Sequence, residues 1–169
     1  MLLAFSTGLR GCDIAALKYE DINWIKHEIH ITQVKTEVPI TVPLEKEVES
    51  AIAEYILKSR PESDSRIIFL RCIRPYIPLK SASMFSLVAR YSLSAIGKQE
   101  NIRHGLHSFR RGLGARMVNA EIPLSIISDT LGHTNGNSTA PYVAVGLQQL
   151  KKCAGRFNGI PVIRKELML

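Results

Sequence analysis

Three cysteines in 169 residues, Cys12, Cys72 and Cys153, lie far apart, form no CxxC pair and leave one over in any disulfide pairing. A disulfide framework is therefore excluded and reducing, cytoplasmic surroundings are expected. Long apolar runs are also missing. The opening MLLAF is apolar for only five residues and carries no basic leader, so neither a signal peptide nor a membrane span is expected there. No low-complexity tract interrupts the chain. The histidines show no HxxxH or Cys/His ligand spacing, and no acidic cluster offers a magnesium site, so no metal and no cofactor are expected.

What is present suits one folded domain. Hydrophobic residues make up 46% and charged residues 22%, with a mean hydropathy of +0.04, and 18.8 kDa is enough to bury a real core. Twenty-two Lys and Arg against fifteen Asp and Glu give a formal charge of +7. Such a balance fits either a polyanionic partner or an ordinary basic surface. Arg71 and Arg74, then Arg103, Arg110, Arg111 and Arg116, tilt it toward nucleic acid.

MLLAFSTG reads as a helix entered without a polar cap, and DIAALKYEDINW as a second one, with Asp13 as its cap and Ile14, Leu17 and Ile22 on one side. HEIHITQV and PITVPL alternate apolar and polar around VKTEV. Residues 27 to 44 are thus a predicted β-hairpin with Lys35 at its tip. EKEVESAIAEYILKSR is an amphipathic helix with Val48, Ile52, Tyr55 and Ile56 inward, ended before Pro61. IIFLRCI fits a short strand, RPYIPLK a proline-rich loop, and SASMFSLVARYSLSAIGKQ a helix through Phe85, Val88 and Leu93. The expected class is α+β, mainly helical with a small antiparallel sheet.

From Leu106 to Ala120 the apolar positions Leu106, Phe109, Leu113, Met117 and Ala120 form a stripe about 80° wide, which predicts a buried helix face. His107 and Arg110, three residues apart, project together from its flank. Pro123 suits the first turn of the next helix, where Leu124, Ile127 and Leu131 share a side. Gly132 suits its C-terminal cap, which places His133 just past a helix end. Ser138 can cap a following helix that carries Pro141 and Tyr142.

FSTGLRGCDIAAL, VKTEVPITVPL, LHSFRRGLGARM, LGH and the later tyrosine, in that order and spacing, resemble the tyrosine recombinase (phage integrase) family, and the resemblance runs from about Leu2 to Arg156. It implies the catalytic fold of that family over residues 1–158, followed by a tail at 159–169. Matched position by position, it implies a catalytic set of Arg10, Lys35, His107, Arg110, His133 and the nucleophile Tyr142. Asp13 falls at the family's acidic position after the first arginine. It also implies double-stranded DNA as partner and no cofactor. The segment VAVGLQQLKKCAGRF would pack on a neighbouring protomer, giving a tetramer on DNA for a full-length protein and a monomer for this length of chain. Family members usually carry N-terminal core-binding and arm-binding domains. None is expected here, and weaker, more salt-sensitive DNA binding follows.

The chemistry explains the residue types. In the family's reaction a tyrosine oxygen attacks a DNA phosphodiester, forming a 3′-phosphotyrosyl link and releasing a 5′-hydroxyl. Arg10 and Arg110 would fork the non-bridging oxygens, with His133 as a further donor, at about 3 kcal/mol per donor in a dry site. Lys35 would protonate the leaving oxygen. His107 would take the proton of a phenol whose ordinary pKa is about 10.

Taken singly, each residue has a plainer reading: Arg10 a surface arginine, Lys35 a solvated turn lysine, His107 and Arg110 a helix-flank pair, His133 a helix cap, Tyr142 a half-buried ring. Trp24, His27, His30 and His104 have no counterpart in the family and read as core or surface. The expected function is site-specific recombination or integration for a phage or integrative element. The alternatives are chromosome resolution within the same class, a catalytically silent DNA-binding remnant and a relaxing topoisomerase.

Overall fold

The computed structural model describes residues 1–79, 85 and 105–133. Within them the chain runs through α1 (Leu2–Thr7), α2 (Gly11–Ala16), a 3-10 turn (Tyr19–Asp21), β1 (Ile22–Asn23), β2 (Glu28–Thr32), β3 (Pro39–Pro43) and α3 (Lys46–Glu54). A π-type turn over Tyr55–Ser59 extends α3, and α4 (Leu106–Asn119) and α5 (Leu124–Leu131) follow.

The predicted hairpin is β2 and β3, paired antiparallel with Ile29 opposite Val42 and Ile31 opposite Ile40; β1 adds a third strand through Ile22 opposite Ile29. The period-2 alternation turns Ile22, Ile29, Ile40 and Val42 inward and leaves His30 and Thr41 outside. Ile22 thus belongs to the sheet rather than to the second helix. Ile14 and Leu17, Val48 and Ile52, and Leu3 and Ala4 close over the same face, with Leu106 entering from α4. One apolar core joins the sheet to four helices.

IIFLRCI does not form a strand. Only isolated bridges occur, Lys18 with Ile67 and Leu70 with Pro78. At its start the run is held instead by Arg60, whose guanidinium donates to the carbonyls of Ser65 (2.6 Å), just before it, and of Ile67 (3.0 Å) and Ile68 (3.0 Å), acceptors that a neighbouring strand would use.

α1 packs on α4, and α4 packs on α5. Ile127 and Leu131 seed a second, smaller cluster with Leu113, Met117, Val118 and Ile122. Leu124 is exposed, so the α5 face is narrower than the spacing suggests. On α4 the deeply buried row is Leu106, Arg110 and Gly114, while Ala120 is exposed at the helix end. The predicted stripe is therefore rotated toward Arg110. Carbonyl groups waiting at the ends of α1 and α5 give its cation a place inside.

The helix expected over 81–99, apart from Phe85, lies outside the described residues. So do Arg103, His104, Ser138, Pro141, Tyr142, the segment 143–157 and the tail 159–169. Among the described residues no helix is long and apolar enough to cross a membrane.

Candidate active site

The site is organised by the C-terminal end of α5. Gly132 adopts φ 60°, and the amides of Gly132 and His133 turn back to the carbonyls of Asp129 (2.9 Å) and Ser128 (2.9 Å). This is a Schellman cap, which needs a residue at ease in the left-handed region. It leaves the carbonyls of Leu131 and Gly132 to point outward at the negative end of the helix dipole.

Three side chains meet those two carbonyls. Arg110 donates from Nη2 to Leu131 O, Gln33 donates from Nε2 to Leu131 O (3.2 Å), and Arg10 donates from Nη2 to Gly132 O (3.1 Å). Arg110 also donates from Nη1 to Gly8 O (3.1 Å) at the left-handed cap of α1. Its guanidinium thus bridges two helix C-termini. Arg110 is only 3% exposed, and a cation so buried persists because acceptors of matching polarity surround it.

Gln33 ties this end to the hairpin. Its Oε1 accepts from Arg10 Nη1 and from Thr36 Oγ1 (2.7 Å). Its backbone closes the turn through Gln33 N to Val38 O (2.9 Å) and Glu37 N to Gln33 O (2.8 Å), with Glu37 at φ 55°. Lys35 stands exposed in that turn. Asp13 does not cap α2, since Arg10 occupies the cap position. It is buried in the helix's first turn, and its Oδ1 accepts the amide of Val34 (2.8 Å), fastening α2 to the turn beside Lys35.

Both imidazoles are held neutral. Burial, then the positive charges of Arg110 and Arg10, then His107, bring the pKa of His133 down to about 4. Although the residue is exposed, partial desolvation of its ring, then the charges of Arg111, Arg110, Arg10 and Lys35, lower that of His107. A neutral imidazole can give a hydrogen bond from one nitrogen while the other accepts a proton. Guanidinium and ammonium groups on several elements thus converge on two uncharged histidines, an arrangement suited to a tetrahedral anion.

Arg10, His107, Arg110 and His133 fall in one neighbourhood, and Lys35 contributes to the field at His107. Tyr142 lies outside the described residues. His107 and Arg110 do not project side by side: His107 is exposed and Arg110 points inward. Gln33 was not singled out from the sequence, although a signal was there. It continues the inward period of Ile29 and Ile31 one residue past the end of β2, where the pattern asks for another apolar residue.

The family model described as "Phage integrase family" matches residues 1–148. The chain is 35% identical over 159 residues to the integrase/recombinase y4rF of Sinorhizobium fredii, covering 94% of this chain and 37% of that protein. Among solved structures it is similar to XerA recombinase (TM-score 0.71, 17% identity, 89% of this chain and 53% of that one). It is also similar to the Tn1549 transposon integrase in complex with transposon right end DNA (TM-score 0.67, 16% identity, 90% and 57%). These two likenesses establish the fold as that of tyrosine recombinase catalytic domains. The chain spans roughly half the length of these structures and less of y4rF.

Proposed function

Because this chain belongs to the phage integrase family, we propose that residues 1–158 are the catalytic domain of a site-specific tyrosine recombinase that breaks and rejoins DNA without a cofactor. The observation that carries the reading is the meeting of Arg10, Arg110 and His133 at the end of α5, beside His107 and the turn of Lys35. The formal charge of +7 and the DNA bound to the Tn1549 integrase support double-stranded DNA as partner. Further protomers would complete a tetramer on DNA, and the chain by itself would be a monomer.

In this reading the Tyr142 oxygen forms a bond to phosphorus as the bond from phosphorus to the 5′-oxygen breaks. His107, neutral near pH 7, takes the phenolic proton, and Lys35 gives a proton to the departing 5′-oxygen. Arg10, Arg110 and His133 stabilise the charge that builds on the non-bridging oxygens. Energy stays in the phosphotyrosyl link, so the reverse attack by a 5′-hydroxyl reseals the strand.

A nicked suicide substrate tests this directly. Wild-type protein should become covalently attached to DNA and Tyr142→Phe should not. Arg110→Lys should keep DNA affinity within a few fold while cleavage falls by about a hundredfold or more, since an ammonium cannot bridge two carbonyls and fork a phosphate. No adduct under any condition, including fusion to an N-terminal DNA-binding domain, would leave a silent DNA-binding remnant.

A further inference from the structure

Gln33 is 0% exposed on a face otherwise built from Ile29 and Ile31. An uncharged polar side chain buried there costs stability unless all its hydrogen-bonding groups are matched, and a leucine would fill the space at no such risk. The amide is well matched. Oxygen takes donors from Arg10 and Thr36, nitrogen donates to Leu131 O, and main-chain groups close the turn of Lys35. Its orientation is fixed by charge, because the reversed amide would aim two N–H groups at a guanidinium. A Cβ at Gly132 would lie 2.3 to 2.7 Å from the Gln33 amide atoms, so the helix cap is pressed directly against it. Local pattern is broken where three chemically important pieces meet, and such breaks concentrate at working sites.

We propose that Gln33 is a positioning residue: its amide sets the Arg10 guanidinium against the capped end of α5, so that Arg10, Arg110 and His133 hold one common geometry. Without Gln33, the acceptor left to fix this long, rotatable side chain among the described residues is Gly132 O. With Gln33, one guanidinium edge is occupied by two acceptors and the remaining N–H groups are aimed. The inference rests on the recombinase reading for its catalytic consequence, whereas the hold on Arg10 stands apart from it.

Gln33→Met keeps the length and bulk of the side chain and removes both hydrogen-bonding ends; Gln33→Glu keeps the acceptor and loses the donor to Leu131 O. In arginine-labelled protein at low temperature, the Nη protons of Arg10 should be resolved in the wild type, still resolved in Gln33→Glu and averaged by rotation in Gln33→Met. Unchanged Arg10 signals in Gln33→Met would overturn the proposal, whatever the enzyme does. In single-turnover cleavage of the suicide substrate, Gln33→Met should lose about ten- to a hundredfold in rate with DNA affinity within twofold. Added to Arg10→Ala, it should lose little more, since both act through one group. Losses that multiply in the double variant, or rate and affinity falling in parallel, would make Gln33 a mere packing residue. Failure of the wild type to form any adduct would instead sink the recombinase reading, leaving the Arg10 signals to decide on Gln33.

Discussion

Two interiors of different character lie side by side in this molecule. The larger gathers Leu3, Leu9, Ile14, Leu17, Ile22, Ile29, Val42, Val48 and Ile52 by apolar contact alone. The smaller surrounds the end of α5, where Arg110 and Gln33 are buried like core residues yet are held by carbonyl groups. The first tolerates change in proportion to volume. The second depends on direction, because each donor has one acceptor to reach. Stability should therefore reside mainly in the first region and geometry in the second.

Substitutions can break that division, in descending order of their effect on stability. Leu17→Ala empties a fully buried site in the apolar core and should cost about 2 to 5 kcal/mol in a denaturant titration, while cleavage measured at a temperature where the variant is folded stays near wild type. Gly132→Ala should cost about 1 to 3 kcal/mol, since the left-handed backbone and the close approach of Gln33 both oppose a Cβ; unlike Leu17→Ala, it should also slow cleavage at least tenfold when folded.

The pH dependence sharpens the contrast. The folded pKa of His133, about 4, lies below its unfolded value of about 6.5. Above that unfolded value the shift has no effect on stability. As pH falls from 6.5 toward 4 the unfolded chain takes up a proton that the folded one refuses, so stability declines. The lowered pKa of His107 acts in the same direction. The denaturation midpoint should drop through this window, and His133→Gln should flatten the drop; an unchanged slope would detach His133 from the cationic cluster.

Lys35→Ala should barely touch the fold, within about 0.5 kcal/mol, because the side chain is exposed in a turn whose closure uses other residues. Cleavage should nevertheless collapse and return on a substrate whose leaving 5′-oxygen is replaced by sulfur, which needs no acid. A failure of that rescue would remove Lys35 from the proton-donating role.

The elements that repeat a simple period were legible before any coordinates. The hairpin followed from alternation around VKTEV, α3 from the spacing of Val48 and Ile52, and the cap of α5 from Gly132 itself. What was hidden depended on partners distant in sequence. Arg110 reads as a flank residue until the ends of α1 and α5 supply carbonyls 102 and 21 residues away. Asp13 looks like a cap until Val34 presents an amide. The apolar run at Ile67 reads as a strand until Arg60 occupies its carbonyls. Candidate site residues were found by resemblance, not by periodicity, and Gln33 escaped because one polar residue ending an apolar face looks like the strand's boundary.

The capped end of α5 also fixes where the next stretch of chain sets out. His133 is anchored through its own amide, and Tyr142 comes nine residues later. A tether of that length reaches at most about 30 Å from a stationary post. In the proposed reaction, that upper bound on reach is what would keep a tyrosine at position 142 available to the cationic cluster at a millimolar effective concentration. On that reading, lengthening the tether by a few glycines would dilute the proposed nucleophile without touching Arg10, Arg110 or His133.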